Sequence, residues 1–250
     1  MKTVERFSNR VENYRKYRPG YPPEVLQLFR DEMNLRPDFA IADIGSGTGI
    51  SAKMFLKNGN DVFGIEPNAA MRSAAENFLS VYPKFHSVGG TAENTMLNES
   101  SVDFVIAAQA FHWFDPEKTR IEFTRILKDG GFVALIWNER QLDTTLFLIE
   151  YEQFLLKFAN DYTKVRHENI NEEKLFVFFG CDFRRASFLN SQTFDLEGLL
   201  GRVLSSSYMP SESGQGYPAM IEELRALFAK HAENGKIKIS YDTNVFFTQI

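Results

Sequence analysis

The run Asp43-Ile-Gly-Ser-Gly-Thr-Gly49 constrains the fold more than any other feature of this 250-residue chain. It follows Phe39-Ala-Ile-Ala-Asp-Ile44, a short and nearly continuous apolar stretch of the kind expected of a strand buried on both faces. Glycines let the backbone turn tightly and approach a ligand with no Cβ in the way. Helical periodicity then runs from Ile50 to about Lys57, where Asn58-Gly59 stops it. A strand, a glycine turn and a helix in that order open a βαβ unit. The first free N–H groups of the helix then face whatever sits at the end of the strand.

The rest of the chain continues the alternation. Pro22-Pro23-Glu24 opens a helix with Val25, Phe29 and Met33 at helical spacing. Asp61–Ile65 reads as the second strand. Asn68 caps a helix carrying Met71, Ala75, Phe78, Leu79 and Tyr82, which Pro83 stops. Strands are expected at Lys84–Val88, Val102–Ala107 and Phe132–Trp137. Between the last two lies a helix capped by Asp115-Pro116 and closed by Gly130-Gly131. Strands separated by helices imply right-handed crossovers and a parallel sheet covered on both faces. Residues 141–183 interrupt the pattern. Asp143 can cap a helix bearing Phe147, Tyr151, Phe154, Leu155 and Phe158, and Phe176, Phe178, Phe179 and Phe183 follow. The segment is expected either to pack as core or to cover a binding site. A strand at Arg184–Phe194, helices at Leu196–Leu204 and Pro218–His231, and a strand at Ile237–Ile250 complete the chain.

Composition excludes several functions. Lys and Arg number 28 against 33 Asp and Glu, a net charge of −5. That balance disfavours a broad basic face for nucleic acid or an anionic membrane, where binding depends on neutralising phosphates. The single cysteine, Cys181, allows no internal disulfide and no thiolate metal cluster. Four scattered histidines show no metal-ligand spacing, so no metal is expected. The charged first twenty residues lack the apolar core of a signal peptide, and no apolar stretch approaches membrane-spanning length. The expectation is a cytoplasmic, soluble protein whose oligomeric state is open.

The glycine spacing discriminates further. A dinucleotide site uses Gly-x-Gly-x-x-Gly; this chain has glycine at 45, 47 and 49 but isoleucine at 50. Glu66 stands at the end of the second strand, where α/β sheets present an acid to ribose hydroxyls. The glycine turn and Glu66 together favour a nucleoside-type ligand.

The ordered set Asp43-Ile-Gly-Ser-Gly-Thr-Gly49, Glu66-Pro-Asn-x-x-Met71 and Gly90-Thr-Ala-Glu93 resembles class I S-adenosylmethionine-dependent methyltransferases. Tyr14-Arg-Lys-Tyr-Arg-Pro-Gly-Tyr-Pro22, Gln109-Ala-Phe-His-Trp-Phe-Asp115, Ser205-Ser-Ser-Tyr-Met-Pro210 and Tyr241-Asp-Thr243 look like the small-molecule group that includes trans-aconitate methyltransferase. The resemblance is firm over 10–140 and looser over 180–250. It implies one domain over 1–250: a doubly wound, mostly parallel Rossmann-like sheet, an antiparallel C-terminal strand, and a helical, lid-like insertion at 141–183. It also implies that Gly45, Ser46 and Gly47 face the methionine part of the cofactor, with Asp43 supporting its amino group. Glu66 would hold the ribose, Pro67 and Met71 would lie against the adenine, and Ala92 and Glu93 would meet its edge. Gln109 would lie along the methionine portion and Arg18 would take its carboxylate. The doubled Gly89-Gly90 departs from the pattern and would shift the adenine contact by a residue.

Methyl transfer needs alignment of donor and acceptor more than it needs a protein nucleophile. His112 is the candidate to orient or deprotonate a small-molecule acceptor, such as a carboxylic acid. Tyr14, Trp113 and Trp137 are candidates to contact substrate, either tryptophan offering a π-face to the sulfonium. Glu139 and Arg140 read as a solvated pair, with contact to substrate as the alternative, and His86, His167 and His231 as surface or helix-face residues. Methylation of tRNA or protein, and non-catalytic cofactor binding, are the alternative readings.

Overall fold

In the computed structural model, which describes residues 11–160, 162 and 172–250, seven strands form one sheet. They are β1 (Ala40–Ile44), β2 (Asp61–Ile65), β3 (Phe85–Val88), β4 (Val102–Ala108), β5 (Leu127–Arg140), β6 (Arg184–Phe194) and β7 (Ile237–Gln249). Their spatial order is β3-β2-β1-β4-β5-β7-β6. The first five pair in parallel, and β7 runs antiparallel to both β5 and β6. The order reverses between β1 and β4. At such a switch the crossovers leave on opposite faces and open a crevice beyond the carboxyl ends of the strands.

Alternation along the central strands separates two apolar layers. Phe104 and Ile106 of β4, with Ala134 and Ile136 of β5, face α2 (Pro23–Met33) and α3 (Ala52–Asn58), burying Val25, Phe29, Met33 and Phe55. Val105, Val133, Leu135 and Trp137 face the other way, onto Phe123 of α5 (Pro116–Ile126) and Leu175, Phe178 and Phe179 of α7 (Glu172–Phe179). α4 (Ala69–Phe78) flanks β3, capped by Asn68 Oδ1, which accepts the Ala70 and Met71 N–H groups. β5 and β7 extend past the parallel strands. β7 continues past the end of β5 paired with β6, and this end of the sheet, through Phe194, Ile237, Ile239 and Tyr241, carries a third cluster made with α6 (Leu146–Phe158), α8 (Leu196–Leu204) and α9 (Tyr217–His231). The phenylalanines of α6 and α7 are therefore divided between two apolar clusters rather than gathered over one opening. α1 (Val11–Tyr17), which sequence periodicity did not indicate, packs on α8.

Three boundaries differ from the sequence expectation. α5 ends at Ile126, not at Gly130-Gly131. Leu127 already pairs with Val102, and β5 absorbs the two glycines in a register shift before Phe132 meets Phe104. Thr145, not Asp143, caps α6 by accepting the Leu148 N–H at 3.2 Å. α4 stops at Phe78, and Leu79 and Tyr82 follow it outside the helix.

Candidate functional site

The crevice is built outward from the turn after β1. Gly45 and Ser46 both donate N–H bonds to the Ile65 carbonyl, at 2.8 and 3.1 Å, which ties the turn to β2. Gly45 has φ +68°, and a Cβ there would sit 2.6 Å from that of Ala110, so no larger residue fits. Gly47 also has positive φ, +55°, but a Cβ on it would meet only the Gly45 carbonyl at 4.0 Å and would otherwise enter the crevice. The glycine turn is thus a cradle whose floor a single methyl group would begin to fill.

Two carboxylates support this floor. Glu66 Oε2 accepts the Gly47 N–H at 3.1 Å and Oε1 accepts the Asn68 N–H at 2.8 Å. Each oxygen keeps a lone pair for a diol. Burial raises the Glu66 pKa, an effect these N–H bonds and Arg72 oppose. Asp43 lies fully buried beneath the turn and lines no part of the cavity. Its Oδ2 accepts the Ser51 hydroxyl at 2.6 Å, while Oδ1 has no hydrogen-bond partner. Burial pushes this carboxyl up to about 7.

The crevice has two lobes, of about 260 and 120 Å³. The larger is lined by Glu66, Pro67, Met71, Ala92 and Glu93, and His112 and Trp113 close its far side. Thr91 lines it too, so the doubled glycine leaves the 91–93 stretch against the cleft. Glu93 Oε1 also accepts the Asp115 N–H at 3.0 Å, which joins this wall to the start of α5. Gln109 borders both lobes with φ +59°, a conformation that costs a non-glycine residue on the order of 1 kcal/mol. Its N–H is fixed to the Ile136 carbonyl at 2.8 Å. Tyr14 and Arg18 also border both lobes, and Ser46 borders the smaller one. His112 and Trp113 occupy a single 3₁₀ turn, their rings 4.6 Å apart.

The roof comes from the two ends of the chain. Arg18 Nη2 donates to the Ser205 carbonyl and Ser206 Oγ, both at 3.3 Å, and its guanidinium lies 4.9 Å from the Tyr14 ring centre. Gly20 O accepts from Asn138 at 3.1 Å and Asn190 at 2.8 Å, clasping this segment to the sheet.

The structure corrects several expectations. Trp137 does not line the crevice; its ring is buried, packed edge-on against Phe111 and Phe246. The residue lies on the side-chain face of β5 that points into the layer beneath α5 and α7. Glu139 and Arg140 are not a solvated pair. The Arg140 side chain is mostly buried and bridges Glu152 and the Tyr162 hydroxyl. His231 is largely buried against Glu150, whereas His86 is half-exposed beside Asp61; His167 lies outside the described residues. Sequence reasoning missed Arg202, Tyr162, Tyr208 and Tyr241, all of which line the smaller lobe. Arg202 left a signal: it falls in the apolar stripe of α8 beside Leu199 and Val203, where a charge needs a reason.

Residues 42–135 match the family model described as a methyltransferase domain. A Mycobacterium tuberculosis protein, described as an uncharacterised methyltransferase, is 35% identical over 134 residues, covering 54% of this chain and 52% of the relative. The chain thus aligns with about half the length of the first curated relatives it matches. A solved structure from Anabaena variabilis, provisionally assigned as a methyltransferase of an antibiotic biosynthesis pathway, superposes with a TM-score of 0.65 at 24% identity. It covers 94% of this chain and 99% of that one. Phosphoethanolamine N-methyltransferase 2 of Haemonchus contortus, solved with S-adenosyl-L-methionine, gives 0.58 at 15% identity, over 99% of this chain and 58% of that one.

Proposed function

We propose that this chain, with its methyltransferase domain over residues 42–135, is a class I S-adenosylmethionine-dependent methyltransferase acting on a small-molecule acceptor. The observation that carries the reading is the coupling of Glu66 to Gly47 across the floor of the larger lobe. An acid at the end of β2, locked to the glycine turn by that turn's own N–H, would accept both hydroxyls of a ribose diol.

The residues present fit the cofactor. The open side of Gly47 admits a ligand, and Asp43 Oδ1 lies buried beneath the turn with no hydrogen bond among the described residues. Arg18 Nε is buried with no hydrogen-bond partner among the described residues, while Nη2 donates to Ser205 and Ser206, so the roof holds a cation with one donor left over. Glu66 would hold the ribose hydroxyls, Pro67 and Met71 one face of the base, and Ala92 and Glu93 its edge. Asp43 would support the amino group from below, and Arg18 would take the carboxylate. When bound, S-adenosylmethionine supplies a methyl carbon on a sulfonium, and the acceptor atom bonds that carbon as the C–S bond breaks, its electron pair staying on sulfur.

The chain's own contribution is alignment and exclusion of water. Alignment of this kind can supply roughly 7–11 kcal/mol of the barrier. Gln109, fixed at the boundary of the two lobes, spaces donor from acceptor. His112 lines only the larger lobe, so it takes a proton from a hydroxyl or an ammonium, or orients a carboxylate, only where the acceptor's reacting end reaches past Gln109 into that lobe. The smaller lobe has less than half the volume of the larger, which suits a small acceptor such as a carboxylic acid. The net charge of −5 disfavours a polyanionic one such as tRNA. Leu142 and Tyr162 are the described residues of 141–183 that line this lobe, so the covering role proposed for the segment rests on them. No helix among the described residues is long and apolar enough to cross a membrane. The lone Cys181 supports a reducing, cytoplasmic location as part of the same proposal.

Calorimetric titration with S-adenosylmethionine, S-adenosylhomocysteine and NAD tests the reading. The first two bind and NAD does not. A screen of small carboxylic acids for methyl acceptance then follows. Absence of S-adenosylhomocysteine binding defeats the proposal.

A further inference from the structure

The smaller lobe contains a charge arrangement that cofactor binding does not explain. Arg202 is 8% exposed and lies on the inner face of α8. Its Nε donates to the Tyr241 hydroxyl at 3.5 Å and its Nη1 to Ser206 Oγ at 3.2 Å. Its Nη2 makes no hydrogen bond, and no carboxylate among the described residues pairs with the group. Arg18 reaches the same Ser206 hydroxyl at 3.3 Å, so two guanidiniums converge on one neutral oxygen. Burial and the neighbouring Arg202 charge together lower the Arg18 pKa. Buried cations are normally paired, because the loss of hydration must be offset by an anion. Arg140, in the same lobe, shows the usual solution: Glu152 and Tyr162 hold it. Arg202 has no such partner among the described residues.

The two arginines also differ in reach. Arg18 borders both lobes and so serves the tail of a ligand lying in the larger one, whereas Arg202 borders the smaller lobe alone. A guanidinium presents paired donors that match a carboxylate or phosphate edge to edge. Oxygens gripped in this way have their lone pairs committed and are poor nucleophiles. We propose that Arg202, held in place by Tyr241 and Ser206, binds an oxyanion of the acceptor that is not the group methylated. The acceptor is then a small bifunctional molecule, with an anionic anchor at one end and its nucleophile at the other. This rests on the methyltransferase reading for the meaning of acceptor, but not for the presence of the anion subsite.

The test is titration of succinate, glutarate, inorganic phosphate and neutral dimethyl succinate into the full chain, with and without saturating S-adenosylhomocysteine. At least one of the three anions binds the wild type in the millimolar range, and the diester does not. The dicarboxylate and phosphate arms tell which oxyanion the subsite takes. Arg202→Gln weakens the anion at least tenfold and leaves S-adenosylhomocysteine affinity within about twofold. Arg202→Lys, which keeps the charge but loses the paired donors, gives an intermediate loss and serves where the glutamine variant does not fold. Equal anion binding by wild type and both variants overturns the proposal. So does binding of the diester as tightly as the anions, or binding of no anion at all. Failure of S-adenosylhomocysteine to bind the wild type defeats the cofactor reading instead, and the titrations without it still decide the subsite.

Discussion

Glu66 Oε2 accepts the Gly47 N–H at 3.1 Å across 19 residues of sequence, which makes the acid of β2 and the turn after β1 a single structural unit. Glu66→Ala removes two candidate ribose bonds together with the brace on the turn. S-adenosylhomocysteine binding should weaken by about 1–3 kcal/mol, roughly 5- to 150-fold, since bonds to a charged acceptor are worth on that order. Calorimetry on wild type and variant measures it. Unchanged affinity removes the ribose assignment.

Gly45 and Gly47 should separate stability from binding. Gly45→Ala drives a methyl into Ala110 at positive φ and should lower unfolding free energy by about 2 kcal/mol or more. Gly47→Ala has open space, so it should cost only about 1 kcal/mol of backbone strain while obstructing the cradle. Denaturant unfolding and S-adenosylhomocysteine titration on both variants distinguish the two effects. Equal stability losses contradict the geometry.

Asp43 should make stability pH-dependent in a defined direction. Its carboxyl titrates at about 7 when folded and near 3.9 when unfolded. The folded state therefore holds the proton more tightly. The stability this confers is complete below about pH 4, is lost as pH rises toward 7, and changes no further above that. Asp43→Asn lacks this loss, so the variant should gain on the wild type between pH 4 and 7, by up to about 4 kcal/mol. If Asp43 supports the cofactor's amino group, wild-type affinity for S-adenosylhomocysteine should also rise through pH 7, and the variant's should not. Parallel stability curves for the two proteins refute the burial argument.

The two tryptophans should behave as opposites. Trp137→Phe loses packing against Phe111 and Phe246 and should destabilise by about 1–3 kcal/mol, leaving cofactor affinity unchanged. Trp113→Phe changes the wall of the larger lobe and should alter affinity more than melting temperature. A binding defect confined to Trp137→Phe would reverse the assignment.

Local sequence carried the elements whose physics is local. Asn68 and Asp115 cap their helices through side chains only two or three residues away, and the apolar strands show their burial in composition. The turn from Gly45 to Gly49 and the acid at 66 were legible for the same reason, since backbone freedom and strand ends are set within a few residues. The end of α5 was not. Its boundary depends on Leu127 pairing with Val102, a contact across the sheet that outweighs the stop signal of two glycines.

Sequence by itself determined that the chain would form a parallel α/β sheet with a glycine turn after its first strand, because hydrophobic period and glycine placement act over short distances. Only the tertiary structure decided which aromatic residues face the crevice. Trp113 and Trp137 look alike in sequence, but one lines the crevice and the other lies inside the layer under α5 and α7. It alone brought Arg18 and Arg202, 184 positions apart, onto one serine hydroxyl by docking the N-terminal segment against α8. Charge pairing, desolvation and cavity shape depend on groups far apart in the chain, and such distances acquire a value only when the chain has folded.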